Sequence, residues 1–151
     1  MFGFKRRRRQ RLRSRPFPAE WCAIIDRNVP YYHVLTPADQ QEVLGHIQVF
    51  LAEKRFEGCG GLEITDEIRV TIAAQACLLL LHRATDYFPK LQTILVYPQH
   101  YFAPETQRLP GGVIVEGVTG RAGESWYRGP VVLAWDEVQR SAWSWATAPR
   151  S

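Results

Sequence analysis

Between Ile68 and Arg83 the chain reads IRVTIAAQACLLLLHR. Wound into a helix, this segment is apolar on nearly every side, so it has to sit at the centre of a fold and be covered on most faces. It is too short to cross a membrane. Its longest candidate run, Ile72 to Leu81, is broken by Gln75 and reaches about half of the roughly 18 residues a span needs. The cover must come from the rest of a 151-residue chain that is 46% hydrophobic and 23% charged, one ordinary domain's worth of sequence. Such a composition excludes a collagen-like or a fully disordered chain. Three cysteines, Cys22, Cys59 and Cys77, are an odd number with no C-x-x-C pair, which excludes a disulfide scaffold. Cys77 falls inside the apolar run and reads as a small buried hydrophobe.

The cover is legible in the flanking segments. A short helix fits Ala19–Arg27, stopped by Asn28 and Pro30. Thr36-Pro37-Ala38-Asp39 is a helix start, with Thr36 as N-cap, Pro37 at the first helical position and Asp39 at the capping-box position. Val43, Leu44, Ile47, Phe50 and Leu51 follow at three- and four-residue steps, which predicts an amphipathic helix over about 36–55, ended by Gly58, Gly60 and Gly61. The apolar helix itself starts near Thr65 or Asp66, with Asp66 and Glu67 in its first turn. After Tyr87-Phe88-Pro89 the period changes. Thr93–Tyr97, Val113–Val118 and Val131–Trp135 read as strands, the last two joined by a hairpin-like connection through 119–128. Asp136 is placed to cap another helix, but the tail QRSAWSWATAPRS shows no helical period. The fold class expected is α+β: N-terminal helices followed by a small sheet.

Charge is unevenly distributed. Residues 1–15 hold eight of the nineteen basic groups and no acid, and the rest of the chain is left with 11 basic and 15 acidic groups. A nucleic-acid-binding core is therefore not indicated, and no specific nucleic-acid site is expected. The leader MFGFKRRRRQRLRSR lacks the apolar stretch of a secretory signal. Like charges repel, so residues 1–15 are expected to be a disordered, solvated basic arm, with an electrostatic arm for phosphates of RNA or an anionic membrane as the alternative. Its deletion is then expected to cost no more than about 0.5 kcal/mol, as for surface changes generally.

No catalytic constellation emerges from residue types. His33, His46, His82 and His100 lie 13, 36 and 18 residues apart, so no His-Glu-x-x-His pair exists. His46, beside Gly45, reads as a surface residue, His82 as a cation at a helix end and His100 as a loop residue. Ser125 is not in a nucleophile elbow, and Gly58-Cys59-Gly60-Gly61 has no following Lys or Ser/Thr to make a phosphate loop. Asp66 and Glu67 are helix-start charges. The site list is thus empty: catalytic none, cofactor-binding none, metal none.

Residues 123–135, GESWYRGPVVLAW, resemble the zinc-dependent peptidases of the Mlc titration factor A type. PFPAEW at 16–21, LTPADQ and FLAEKRF in the first long helix, RVTIAAQACLLLL at 69–81 and ILVYP at 94–98 resemble the same family in the same order. The resemblance implies the N-terminal part of a zincin-like metallopeptidase, cytoplasmic, with zinc as cofactor and a peptide substrate or a transcriptional regulator as partner. In that family two histidines of a His-Glu-x-x-His helix and a downstream acid hold the zinc, and the Glu is the general base. That motif has no counterpart here, so no catalytic residue carries over.

The organisation expected is a basic arm at 1–15, a partial zincin-like peptidase domain at 16–138 and a divergent tail at 139–151. The function expected is that of a truncated or frame-shifted, inactive N-terminal fragment of a peptidase. The alternative is a non-catalytic binding module for a protein such as a transcriptional regulator. Two further expectations follow. Residues 113–118 are a candidate edge strand for an extended peptide, although plain sheet is the commoner role. Without its C-terminal half, the chain should expose a contiguous apolar surface and associate through it.

Overall fold

The apolar segment forms a helix, and its cover comes from both sides in sequence. A computed structural model describes residues 2–99, 107–108, 113–115 and 130–147. The helices are α1 (Phe2–Ser14), α2 (Ala19–Asn28), α3 (Pro37–Glu53), α4 (Asp66–Leu78) and α5 (Trp135–Thr147), with a 3₁₀ helix at Pro30–Val34. Five strands, β1 (Arg55–Gly58), β2 (Thr93–Tyr97), β3 (Gln107–Arg108), β4 (Val113–Val115) and β5 (Val131–Ala134), make one sheet of order β1-β2-β5-β4-β3. Strands β1, β2 and β5 are parallel, β4 pairs antiparallel with β5, and β3 pairs antiparallel with β4. The α+β layout is therefore the one observed, with β1, α4 and β2 forming a β-α-β crossover at one end of the sheet.

Local chemistry explains the helix ends. Thr36 accepts a hydrogen bond from the Asp39 backbone N–H, and Thr65 accepts one from Ile68, so both long helices begin on a Thr N-cap. In α4, Val70, Ala73 and Cys77 are fully buried, as is Thr71, whose hydroxyl accepts from Asn28 Nδ2 at 3.1 Å. Ile25 of α2, Ile47 and Phe50 of α3, Ile94 and Val96 of β2, Leu133 of β5 and Val138 of α5 join α4 in one core. Gln75 Nε2, the polar break in the apolar run, donates to the Val138 carbonyl at 2.9 Å and so ties α4 to α5. Gly58 ends β1 where the chain folds back so closely that a Cβ would collide with the Leu62 carbonyl.

Several expectations are corrected. Residues 2–14 are a helix and not a solvated arm: Leu12 is buried, and Arg9 is buried with it. The like-charge argument fails because one face of α1 meets acids on the body, described below. A helix does follow Asp136, continuing to Thr147, so residues 139–147 are not an irregular tail. The segment after α3 is strand β1, not the last turn of a helix, and α4 stops at Leu78, short of Arg83. Strand β4 lies between β5 and β3, so it is not an edge among the described residues. The large apolar side chains exposed among the described residues are Phe4 in α1, Val34 in the 3₁₀ helix and Leu79 just after α4. His100, Ser125 and the connection 119–128 lie outside the described residues.

Candidate functional site

The polar groups that the fold brings together lie where α1, α3 and the segment 82–88 meet. On α3, Asp39, Glu42 and His46 fall at three- and four-residue spacing and share one face. His82 closes on them: its Nε2 lies 3.1 Å from Asp39 Oδ2, and its backbone N–H donates to Glu42 Oε2 at 3.0 Å. One turn further, His46 Nε2 is 3.2 Å from Glu42 Oε2 and Nδ1 is 2.6 Å from the Tyr87 hydroxyl. Arg13 of α1 donates to that hydroxyl at 2.9 Å.

This geometry assigns the proton. A carboxylate can only accept, so His46 carries its hydrogen on Nε2 and leaves Nδ1 to accept from Tyr87. Burial lowers the His46 pKa below the ordinary imidazole value and outweighs the opposing pull of Glu42. The ring is thus a neutral relay between a tyrosine and a carboxylate. Burial likewise pushes the Tyr87 phenol up, against the stabilising charge of Arg13. The arrangement hydroxyl–imidazole–carboxylate has the connectivity of an activated nucleophile, but Tyr87 is only 1% exposed, so no substrate reaches it.

The same segment fastens α1. Arg9 makes a two-pronged bond to Glu53 at 2.7 and 2.8 Å and a third to Asp86 at 2.7 Å, with its guanidinium 4.8 Å above the Tyr87 ring. The bonds to Glu53 and Asp86 raise the Arg9 pKa despite burial. Burial pushes Glu53 up, but Arg9 and the neighbouring lysines hold it below its ordinary value overall. Gly45 lets the two helices approach: a Cβ there would sit 3.2 Å from the Arg13 side chain. Lys54 Nζ donates to the Phe88 carbonyl at 2.8 Å, and Phe88 packs edge-on against Phe50. These contacts hold His82, Tyr87 and Phe88 at φ of 63°, 57° and 53°, a region that non-glycine residues occupy only when their surroundings impose it.

Sequence reasoning missed Arg9, Arg13, His46 and Tyr87. The signal for the first two was Leu12, the lone aliphatic side chain between Lys5 and Arg15, which shares a helix face with Lys5, Arg9 and Arg13. The expectation of a surface His46 is corrected: it is 7% exposed, buried by Tyr87 from a segment 41 residues away. His33 is exposed beside Asp26, at 3.3 Å. Cys77 is buried with its thiol pKa pushed well up, which leaves it unreactive, and Cys22 and Cys59 are free.

Asp39, Glu42 and His82 are the one group of potential metal ligands among the described residues. They do not fit a catalytic zinc. Glu42 Oε2 already accepts from His82 and His46, and the His82 ring is bonded to Asp39 and 69% exposed. A catalytic zinc needs three converging donors and a base beside its water. Here two carboxylates from the first turns of α3 face a single exposed imidazole that is already bonded to one of them, so no step is assigned to a metal at this place.

The described residues thus form a mixed sheet crossed by a buried helix, with a polar cluster between α1, α3 and the segment 82–88 and no complete catalytic set among them. The chain belongs to the glucose-regulated metallo-peptidase M90 family, whose model matches residues 4–148. That match takes in both α1 and α5. The uncharacterized protein slr2042 of Synechocystis sp. is 42% identical over 132 residues, 87% of this chain and 48% of the relative. Mlc titration factor A of Yersinia pestis (strain Pestoides F) is 26% identical over 123 residues, 82% of this chain and 45% of the relative, and that of Yersinia pseudotuberculosis serotype O:1b matches equally. The chain spans about half the length of the curated relatives it matches. No helix among the described residues is long and apolar enough to cross a membrane.

Proposed function

We propose that these 151 residues form the scaffold half of a cytoplasmic, zinc-dependent M90 peptidase. In this reading the zinc-bearing His-Glu-x-x-His helix is supplied by sequence beyond this half and docks near β5. The observation that carries the reading is a family match running from α1 through α5 over about half the length of the relatives. The four histidines at 33, 46, 82 and 100 contain no His-Glu-x-x-His spacing, which supports placing the chemistry elsewhere. Zinc, when bound in the whole enzyme, would activate water for attack on a peptide carbonyl. The part of this half is to hold the sheet and α5 in place through the α4 core.

The test is metal content and hydrolysis. The purified 151-residue chain, dialysed after exposure to zinc, is expected to retain no stoichiometric metal and to cleave no peptide. Co-expression with the C-terminal half of a relative is expected to restore both. Zinc that survives dialysis of the chain alone, with hydrolysis abolished by a chelator, would overturn the proposal. A second reading, a module that binds a regulatory protein without catalysis, draws support from the relatives' name, Mlc titration factor A, and from the self-contained core. It predicts partner binding by the chain in the absence of both zinc and the other half.

A further inference from the structure

α1 has two faces with different fates. Lys5, Arg9, Leu12 and Arg13 turn toward the body, where Asp86, Glu53 and Tyr87 receive the three cations. Arg7, Arg8, Arg11 and Arg15 turn away, all exposed, and none of them has an ion pair among the described residues. At 100° per residue these four and Phe4 fall within an arc of roughly 100°, a stripe about 16 Å long. Phe4, at one end of it, is 79% exposed. Phe4, Arg7, Arg11 and Arg15 line one open groove, and Arg8, Arg11 and Arg15 line a second against Ala52. The inner contacts hold the stripe in place: the Arg9 pairs, Leu12 in the core, and Gln48 donating to the Arg15 carbonyl at 2.6 Å.

We propose that this outer face of α1 docks the chain on an anionic phospholipid bilayer. The guanidinium fork suits phosphate oxygens better than an ammonium does. The stripe is a short row of long, exposed guanidinium side chains on a helix held to the body, and headgroup phosphates can gather against it and its shallow grooves. An aromatic side chain at its end seats at the headgroup boundary. A nucleic acid is the weaker fit. It extends past a row this short and needs a continuing basic track, whereas residues 16–151 carry 11 basic and 15 acidic groups. Anionic lipids instead diffuse laterally and gather under a local patch. The acidic remainder of the chain then turns away from the membrane and orients the docked molecule. This inference stands apart from the peptidase reading, because it uses none of the residues that reading needs.

The test is co-sedimentation of the 151-residue chain with phosphatidylcholine vesicles, with and without phosphatidylglycerol. Binding is expected only to the anionic vesicles and is expected to weaken steeply with salt. Each arginine near the surface contributes about five-fold in partitioning, so Arg7→Gln, Arg8→Gln, Arg11→Gln and Arg15→Gln together should weaken binding several hundred-fold. Changing Arg27, Arg55, Arg69 and Arg83 to Gln removes the same charge elsewhere and should weaken it only a few-fold. Should the four-fold stripe variant fail to unfold cooperatively, Arg7→Gln and Arg11→Gln singly should each show about a five-fold loss. Equal losses from the stripe and control sets would overturn the proposal. So would binding to an RNA duplex that exceeds vesicle binding at matched phosphate concentration, or equal binding to neutral vesicles.

Discussion

His46 couples a buried hydrogen-bond chain to pH. Its side chain is faced by Glu42 on its own helix, by Tyr87 from the 82–88 segment and, through Tyr87, by Arg13 of α1. In the unfolded chain it titrates near the ordinary value of about 6.5. In the fold, burial holds its pKa lower. As pH falls below about 6.5 the unfolded state takes up a proton that the folded state refuses, so stability drops until the folded value is passed. Above about 6.5 the residue makes no pH-dependent contribution. The expected outcome is a fall in the urea midpoint between about pH 7 and 5 that is markedly shallower in His46→Gln. That variant should also lose about 1 kcal/mol at neutral pH, because a short amide cannot bridge Glu42 and Tyr87 as the ring does. An unchanged slope would mean that the imidazole titrates normally in the fold.

At the scale of elements, α1 is held by a pair of charges that water barely reaches. The Arg9 side chain is 10% exposed and that of Glu53 15%. Lys5 and Asp86, both more than half exposed, add little. Removing one member of a buried pair strands the other, at a cost of about 3–5 kcal/mol. Arg9→Met is expected to fall in that range by urea denaturation, and the double change Arg9→Met with Glu53→Leu to recover most of it. Deleting residues 1–15 should cost at least as much as Arg9→Met, since Leu12 goes with it, in place of the near-zero cost that a solvated arm would give. What was readable in the sequence divides along the same physical line. The caps at Thr36 and Thr65 depend on neighbours in sequence, and both helices start where the pattern placed them, while the strand Thr93–Tyr97 is marked by its own β-branched run. α1, β1 and the surroundings of His46 depend on distant partners. Glu53 lies 44 residues from Arg9, Tyr87 lies 41 from His46, and β1 exists because Arg55–Gly58 pairs with Thr93–Val96. A run of arginines reads as repulsive until the acids that face it are known. The family resemblance was readable from short motifs within 16–138, and the matched region reaches 4–148.

For the molecule as a whole, the question is whether α4 needs more chain to cover it. Among the described residues much of the cover is already present: α2 and α3 lie against it, β2 and β5 contribute Ile94, Val96 and Leu133 to the same core, and α5 adds Val138. The Gln75 bond to Val138 satisfies the one strongly polar group in the apolar run. A helix so enclosed should unfold together with its neighbours, because exposing it means opening the whole core. The 151-residue chain is therefore expected to unfold in a single cooperative transition and to bind little apolar-surface dye at neutral pH. Coincident transitions by far-UV dichroism and tryptophan fluorescence would check this, since Trp21 lies in α2 and Trp135, Trp143 and Trp145 lie in α5. Strong dye binding with a broad transition would mean that the core is finished by contacts with another segment, such as the other half of a longer peptidase. A sharp transition would make that half an addition to a scaffold already folded, and docking of the catalytic helix would then be a binding step rather than a folding step.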